Sequence, residues 1–431
     1  MKPTDEWVFK SGKKILCADS SEQTATTQPF SLLSSTQKVL SRLKKNKLFL
    51  HAYSIIFKWC GNVLPVNKKM VMFESYLGKQ YSCNPRAIYE YMLEHHPEYT
   101  LKWSVDRSYQ HFFKEKNIPH VRRFTIQWLL LMTRSKYWVT NSRLPLWMTK
   151  PKHTIYVQTW HGTPLKRLAS DMDEVYMPGT TTDAYKKNFH KEASKWDYLI
   201  SPNAYSSTIF KRAFNFHKIL IESGYPRNDY LYEENHPSNI LQIKKACGLP
   251  TDKKIILYAP TWRDDQFYTV GRYKFNLELN LRQMQEQLGD RYIILLRMHY
   301  LIAENLDLSA YEGFAFDFSN YEDIRDLYLI ADLLITDYSS VFFDYGNLKR
   351  PMIFYVYDIE TYRDKLRGFY FDFEKEAPGP LVKTTEEVIK KINELDPALF
   401  KASKQFQDFY ERFCYLEDGQ ATGRVVERIF K

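Results

Sequence analysis

The sequence predicts an α/β protein made of two doubly wound, Rossmann-type domains, one after the other along the chain. Three observations carry that expectation. The 431 residues exceed an ordinary single domain. Short runs rich in Val, Ile, Leu, Phe and Tyr alternate with helical stretches in two successive series, the pattern of parallel strands covered on both faces. Between the series, residues 225–240 (YPRNDYLYEENHPSNI) replace the apolar pattern with Pro, Asn and charge, as a domain join does.

Taken in order, residues 1–35 pass through SSEQTATTQ, a composition that buries little, and are expected to form a flexible arm. Residues 36–67 set Arg42, Lys44, Lys45 and Lys47 ahead of a Leu-, Phe-, Ile- and Trp-rich run at roughly helical spacing. Two readings stay open there: an interfacial helix on a membrane surface, and a helix packed on the domain with its lysines in water. In the first domain, residues 68–235, the segments MVMFES, LKWSVD, YWVTNS, TIYVQ, YLISP and ILIESG read as strands, and NPRAIYEYMLEHH reads as a helix. In the second, residues 236–395, KIILYAP, YIILL, FAFDFS, LLIT and MIFYVY form the strand series. Residues 396–431 read as helices packing back across the domains.

Composition narrows the function. The net charge of +10 attracts phosphates, nucleic acids or anionic lipid, but no nucleic-acid-reading motif accompanies it, so no nucleic-acid partner is expected. Five cysteines, Cys17, Cys60, Cys83, Cys247 and Cys414, lie far apart without a CxxC pair. That spacing argues against a zinc knuckle and points to a reducing compartment. Neither a leader-like amino terminus nor an apolar run of about 18 residues is present, so the expected location is the cytosol or its membrane face. The sequence lacks GxxxxGK[ST], GxGxxG and HExxH, and ATPase, dehydrogenase and zincin readings lose their support.

Ligands of open parallel sheets bind beyond the carboxyl ends of the strands, which nominates the polar residues found there. TIYVQ runs into Thr159-Trp160-His161-Gly162-Thr163-Pro164, putting a candidate general base, His161, at a strand end, with Pro164 suited to a first helical turn. In the second series, Arg263 follows IILYAP and Arg297-Met298-His299 follows YIILL, cationic groups suited to a diphosphate. LLIT leads into Asp337-Tyr338-Ser339-Ser340 and then VFFDYGNL, read as a helix whose start offers an anion site at the serines. Glu376 in EAPGP sits on a rigid acidic turn that either presents it to ribose or substrate hydroxyls or serves structure alone. Asp171-Met172-Asp173 imitates a metal-holding DxD pair but follows a helical stretch rather than a strand. It reads as a surface acidic pair, with Asp171 available to orient His161.

Together WHGTPLKRL, SPNAYSS, ESGYPRND, LYAPTWR, RMH and above all IADLLITDYSSVFFDYGNLKRPMIFYVYD, with Tyr362, Arg367-Gly368 and PGP, resemble the CDP-glycerol glycerophosphotransferase family of teichoic-acid synthesis, over roughly residues 68–425. The resemblance implies a GT-B-like fold whose two domains face a cleft, the acceptor on the first and the CDP-polyol on the second. It implies transfer of glycerol phosphate or ribitol phosphate from CDP-glycerol or CDP-ribitol to a hydroxyl of an undecaprenyl-linked saccharide or growing polymer, with release of CMP. By position, His161 matches the family's catalytic histidine, His299 its phosphate-contacting histidine, and Ser339 and Ser340 its donor-phosphate serines, while Arg263 sits in its arginine motif. Tyr300 departs from the proline that many members carry. No metal or other cofactor is expected, and a peripheral site on the cytoplasmic face of the bacterial membrane is implied. The competing readings are a GT-B glycosyltransferase using a nucleotide sugar and a non-catalytic basic protein bound to membrane surfaces.

Overall fold

The structure, a computed structural model, describes residues 47–175, 179–261, 263, 267–269, 272–273, 277–298, 307–366 and 368–430. The arm at 1–35, the basic residues Arg42, Lys44 and Lys45, and the residues His299, Tyr300 and Arg367 lie outside the described residues.

Among the described residues the first domain holds seven strands: β1 (Asn67–Glu74), β2 (Thr100–Val105), β3 (His120–Arg122), β4 (Ser135–Thr140), β5 (Ile155–Gln158), β6 (Tyr198–Ser201) and β7 (Ile219–Glu222). They lie in the order β3-β2-β1-β4-β5-β6-β7, every pair parallel. The second domain contains β8 (Lys254–Tyr258), the hairpin β9 (Phe267–Thr269) and β10 (Arg272–Tyr273), then β11 (Tyr292–Leu296), β12 (Ala315–Asp317), β13 (Leu333–Thr336), β14 (Met352–Tyr355) and β15 (Leu381–Val382). Its parallel sheet runs β12-β11-β8-β13-β14-β15. Strand order reverses between β1 and β4 in one sheet and between β8 and β13 in the other. At each reversal neighbouring crossovers diverge and leave a crevice.

Apolar runs become central strands because helices cover both faces of each sheet. Ile255, Leu257, Ile293 and Leu295 enter one core layer, while Ile256, Ile294 and Leu296 enter the layer on the opposite face; each such burial contributes about 1.5–3 kcal/mol. The first sheet is sandwiched in the same way. Its outer helix, Lys47–Val63, buries Phe57 and Cys60 and leaves Leu50, Ile55, Ile56, Trp59 and Val63 exposed. One face of that helix thus packs on the domain, and the other carries apolar side chains into solvent.

The chain crosses between the domains twice. After β7 it passes through 223–229 into the second domain, and the helix Lys404–Phe413 completes that domain's core with Phe406, Phe409 and Phe413. It then returns, and the helix Ala421–Ile429 lays Val425, Val426 and Ile429 on the first sheet. The crossings are stitched together. Glu417 accepts from Tyr225 N and Asn228 Nδ2, both at 3.0 Å, and Asp229 accepts from Ala421 N (2.9 Å) and Thr422 N (2.7 Å). Two buried ion pairs, Arg86–Asp323 and Arg227–Asp344, each 2.8 Å, join the domains beneath the cleft.

Candidate functional site

On the first wall the site starts from Asn141, just beyond β4. Its side chain accepts from Tyr76 N (2.9 Å) and donates to Ser75 Oγ (3.0 Å), which locks together the ends of β1 and β4 at the reversal. Its carbonyl lies 2.7 Å from His161 Nδ1. A carbonyl oxygen only accepts, so Nδ1 carries the proton and Nε2 keeps its lone pair.

The residue before the histidine makes the turn that presents it. Trp160 has φ 51°, in the left-handed region that costs a bulky side chain energy. Gln158 Oε1 accepts from its N–H (2.9 Å), and the fully buried Asn84 donates to the carbonyls of Thr159 and Trp160, both at 3.2 Å. Trp160 is buried and stacks on the imidazole at 4.6 Å, while Tyr76 meets the ring edge-on at 5.8 Å. Half-buried His161 has its pKa lowered to about 4, chiefly by desolvation and further by the charges of Arg227 and Arg143, against the opposing bond to Asn141. At neutral pH it is the uncharged imidazole that a base must be.

Beside His161 opens a cavity of about 560 Å³ whose lining includes Tyr76, Arg143, Tyr185, Asn188, Phe189 and Glu192. Gly162 forms the contact with the second wall. A Cβ there would come within 2.8 Å of Ser340 Oγ, so any side chain at this position would have to displace the Ser340 hydroxyl where the two domains approach. Beyond it the loop is clasped by the second domain: Arg167 N donates to Gly368 O (3.2 Å), Tyr370 N to Leu165 O (2.9 Å) and Lys166 Nζ to Tyr362 Oη (3.0 Å). Pro164 begins no helix, contrary to expectation, because that segment is spent on the interdomain clasp.

The second wall differs from the sequence-based expectation in several residues. Arg263 is not positioned to hold a diphosphate. Its Nε and Nη2 donate to Asp358 (2.7 and 3.0 Å), Nη2 also to Tyr357 Oη (3.2 Å), and Nη1 to Thr261 O (2.6 Å) and Asp337 (2.8 Å). All five N–H groups of a guanidinium are thereby used. Asp337 is equally committed, its other oxygen accepting from Thr261 N at 2.8 Å. Both are positioning groups that fix the loop after β8 to the loop after β13. Glu376 pairs with Arg412 and accepts from Asp372 N (3.2 Å), which consumes it structurally rather than offering it to hydroxyls.

Ser339 and Ser340 remain half-exposed, with no side-chain hydrogen bond among the described residues, and Ser340 faces Gly162. The helix after them is only Val341–Tyr345, continued by a 3-10 turn, and Ser340 does not cap it through its side chain. The half-buried Arg297 follows β11 and donates from Nη1 to Phe318 O (2.7 Å) and Ser319 O (2.5 Å), but makes no ion pair among the described residues. Burial pushes it below the usual arginine range. The position of His299 lies outside the described residues.

Asp171 does not orient His161. It binds Arg212 (2.8 Å) and Tyr370 Oη (2.8 Å), while Asp173 binds Arg167 (2.6 Å), so the DxD pair is spent on arginines. No group of three or more His, Cys, Asp or Glu suited to a metal occurs among the described residues. Sequence reasoning passed over Tyr76, Asn141 and Arg143. Their signal was present, since they follow the strand runs MVMFES and YWVT at the ends of β1 and β4.

Comparison with known proteins agrees with this fold. The chain is 59% identical over 433 residues to the teichoic acid poly(glycerol phosphate) polymerase of Bacillus subtilis strain 168, covering 98% of this chain and 58% of that protein. It is 58% identical over 389 residues to the polymerase of the same name from Bacillus spizizenii, covering 90% and 98% respectively. The solved structure of a histidine-to-asparagine variant of the wall teichoic acid polymerase TagF, soaked with CDPG, superposes with a TM-score of 0.80 at 42% identity, covering 93% of this chain and 98% of that one. Residues 56–431 match the family described as CDP-Glycerol:Poly(glycerophosphate) glycerophosphotransferase. With a GT-B-like pair of parallel-sheet domains meeting at His161, the chain belongs to the CDP-glycerol:poly(glycerophosphate) glycerophosphotransferase family.

Proposed function

We propose that the protein transfers glycerol phosphate from CDP-glycerol to a terminal hydroxyl of a lipid-linked, undecaprenyl-type acceptor or poly(glycerol phosphate) chain, releasing CMP. The observation that carries this reading is the uncharged His161, its Nδ1–H tied to Asn141 O and its Nε2 unprotonated, where Gly162 meets Ser340. The acceptor oxygen forms a bond to the glycerol-bearing phosphorus, the bond from that phosphorus to the bridging oxygen breaks, and CMP leaves with the electron pair. The acceptor proton passes to His161 Nε2. Ser339, Ser340 and Arg297 meet the separating diphosphate, a task of positioning and electrostatics. This scheme uses no metal ion, so activity is expected to survive EDTA.

Glycerol rather than ribitol is favoured by the names of the two relatives nearly 60% identical to this chain. Purified protein is to be offered CDP-glycerol, CDP-ribitol and UDP-sugars with a synthetic lipid-linked acceptor. CMP from CDP-glycerol is expected, and UDP release alone would overturn the reading in favour of a glycosyltransferase.

Peripheral attachment to the cytoplasmic membrane face belongs to the same proposal. It is supported by the exposed side chains of Ile55, Ile56, Trp59 and Val63, beside the exposed Ile126 and Leu130 on the helix Ile126–Arg134. No helix among the described residues is long and apolar enough to cross a membrane. Sedimentation with anionic vesicles should fall for the double variant Ile56→Glu, Trp59→Glu. Unchanged sedimentation removes this face from the account.

A further inference from the structure

We infer that Arg143 is the docking group for a phosphodiester of the acceptor, seated in the cavity beside His161; the inference rests on the transfer reading above. Arg143 projects from the loop after β4 into that cavity. Its guanidinium lies over the rings of Phe189 at 4.4 Å and Tyr185 at 5.3 Å. Two rings fix the plane of a group whose N–H edges are thereby aimed rather than mobile.

What sets this cation apart is that nothing in its surroundings consumes it. Among the described residues Arg143 makes neither a hydrogen bond nor an ion pair, unlike Arg86, Arg227 and Arg263. The carboxylate lining the cavity, Glu192, is already engaged by Lys195 (2.6 Å), Leu144 N (3.1 Å) and Tyr156 Oη (3.2 Å). The remaining polar side chains lining it among the described residues, Tyr76, Ser142, Thr180, Tyr185 and Asn188, contribute hydroxyl and amide groups, and His161 its imidazole. The cavity therefore offers one uncompensated positive charge and neutral hydrogen-bonding groups, which suits a singly charged phosphodiester.

Its position fits the acceptor. The cavity belongs to the first domain, and His161, which takes the acceptor proton, lies on its rim. In a glycerol phosphate polymer the attacking hydroxyl and the preceding phosphodiester are separated by one glycerol unit. A hydroxyl at His161 therefore brings that phosphodiester into the same cavity. Arg143 would favour an acceptor already bearing a glycerol phosphate over a neutral saccharide terminus.

The test compares two synthetic acceptors with CDP-glycerol as donor: a lipid-linked saccharide with one terminal glycerol phosphate and the same molecule without it. For Arg143→Ala, KM for the phosphorylated acceptor is expected to rise about tenfold. KM for the neutral acceptor and for CDP-glycerol should stay within measurement error, and Arg143→Lys should recover part of the loss. An equal rise for both acceptors, a rise in donor KM instead, or no change overturns the assignment. If Arg143→Ala fails to fold, Arg143→Lys carries the test through a smaller rise confined to the phosphorylated acceptor, and an unselective or absent rise overturns it. Wild-type protein is measured first, so that failure to release CMP with either acceptor exposes an error in the transfer reading itself, separately from Arg143.

Discussion

The Arg263 network on the second wall of the cleft and the pair His161 and Arg143 on the first use their polar groups in opposite ways. On the second wall, Arg263, Asp337 and Asp358 are satisfied by one another together with Thr261, Tyr357 and Tyr338, inside a cage of Tyr338, Tyr357 and Tyr362 rings 5.1–5.3 Å from the guanidinium. On the first, His161 keeps a lone pair and Arg143 keeps its N–H groups. Both walls carry basic residues at strand ends. Position therefore nominates a residue, while the capacity left over after the fold has taken its share decides whether it waits for a ligand.

The sharpest way to break that comparison is His161→Ala. A base of this kind contributes about 10²–10⁴-fold, so kcat should fall by that range with an unchanged thermal midpoint. In the wild type the acid limb of kcat/KM should lie below the ordinary imidazole value, near about 4. A limb near 6.5 would mean that burial and the neighbouring arginines do not depress the histidine.

Arg263→Ala should act through stability instead, leaving Asp337 buried without its cation at a cost of about 3–5 kcal/mol, read from denaturant midpoints. A variant that folds normally but loses affinity for CDP-glycerol would return Arg263 to ligand binding. Next comes Gly162→Ala, whose methyl would press on Ser340 Oγ and cost about 1–3 kcal/mol. Ser340→Ala in the same chain should relieve part of that cost, and a double-mutant cycle without coupling would deny that the walls touch there.

The effect expected at the crossing is one of pH. Burial first, then Asp344 and Asp229, push the Glu417 carboxyl from 4.5 to about 8, opposed by the bonds from Tyr225 and Asn228. A raised carboxyl pKa stabilises the fold fully below the ordinary value, and that contribution is lost as pH rises through about 8. Unfolding midpoints of the wild type should decline across this window while Glu417→Gln stays flatter. Parallel curves would show that Glu417 is not protonated in the fold.

Much of the fold was legible because β1, β8, β11 and β13 each contain an unbroken apolar run, MVMF, IILY, YIILL and LLI, which only a sheet covered on both faces needs. The short strands β3 and β15 and the hairpin β9–β10 were not, since two or three residues carry no periodicity. His161 was legible from its place after TIYVQ. The bond that orients it was not, because it is made by the backbone carbonyl of Asn141, whose place after β4 is legible but whose acceptor has no side-chain signature. The Arg263 network was hidden for another reason: its carboxylates lie 74 and 95 residues away along the chain. Only the register of β13 against β8, and of β14 against β13, brings them together.

The return of the chain to its first domain sets an order for folding. The layer that covers one face of the first sheet is missing Val425, Val426, Ile429 and Phe430 until residues beyond 420 have been made. The second domain's sheet, formed entirely between Lys254 and Val382, can pair earlier. During synthesis the domain that begins first is therefore completed last, and its exposed apolar face must be protected for most of translation. Removal of the helix Ala421–Ile429 would leave the first domain permanently in that unfinished state, a liability for aggregation.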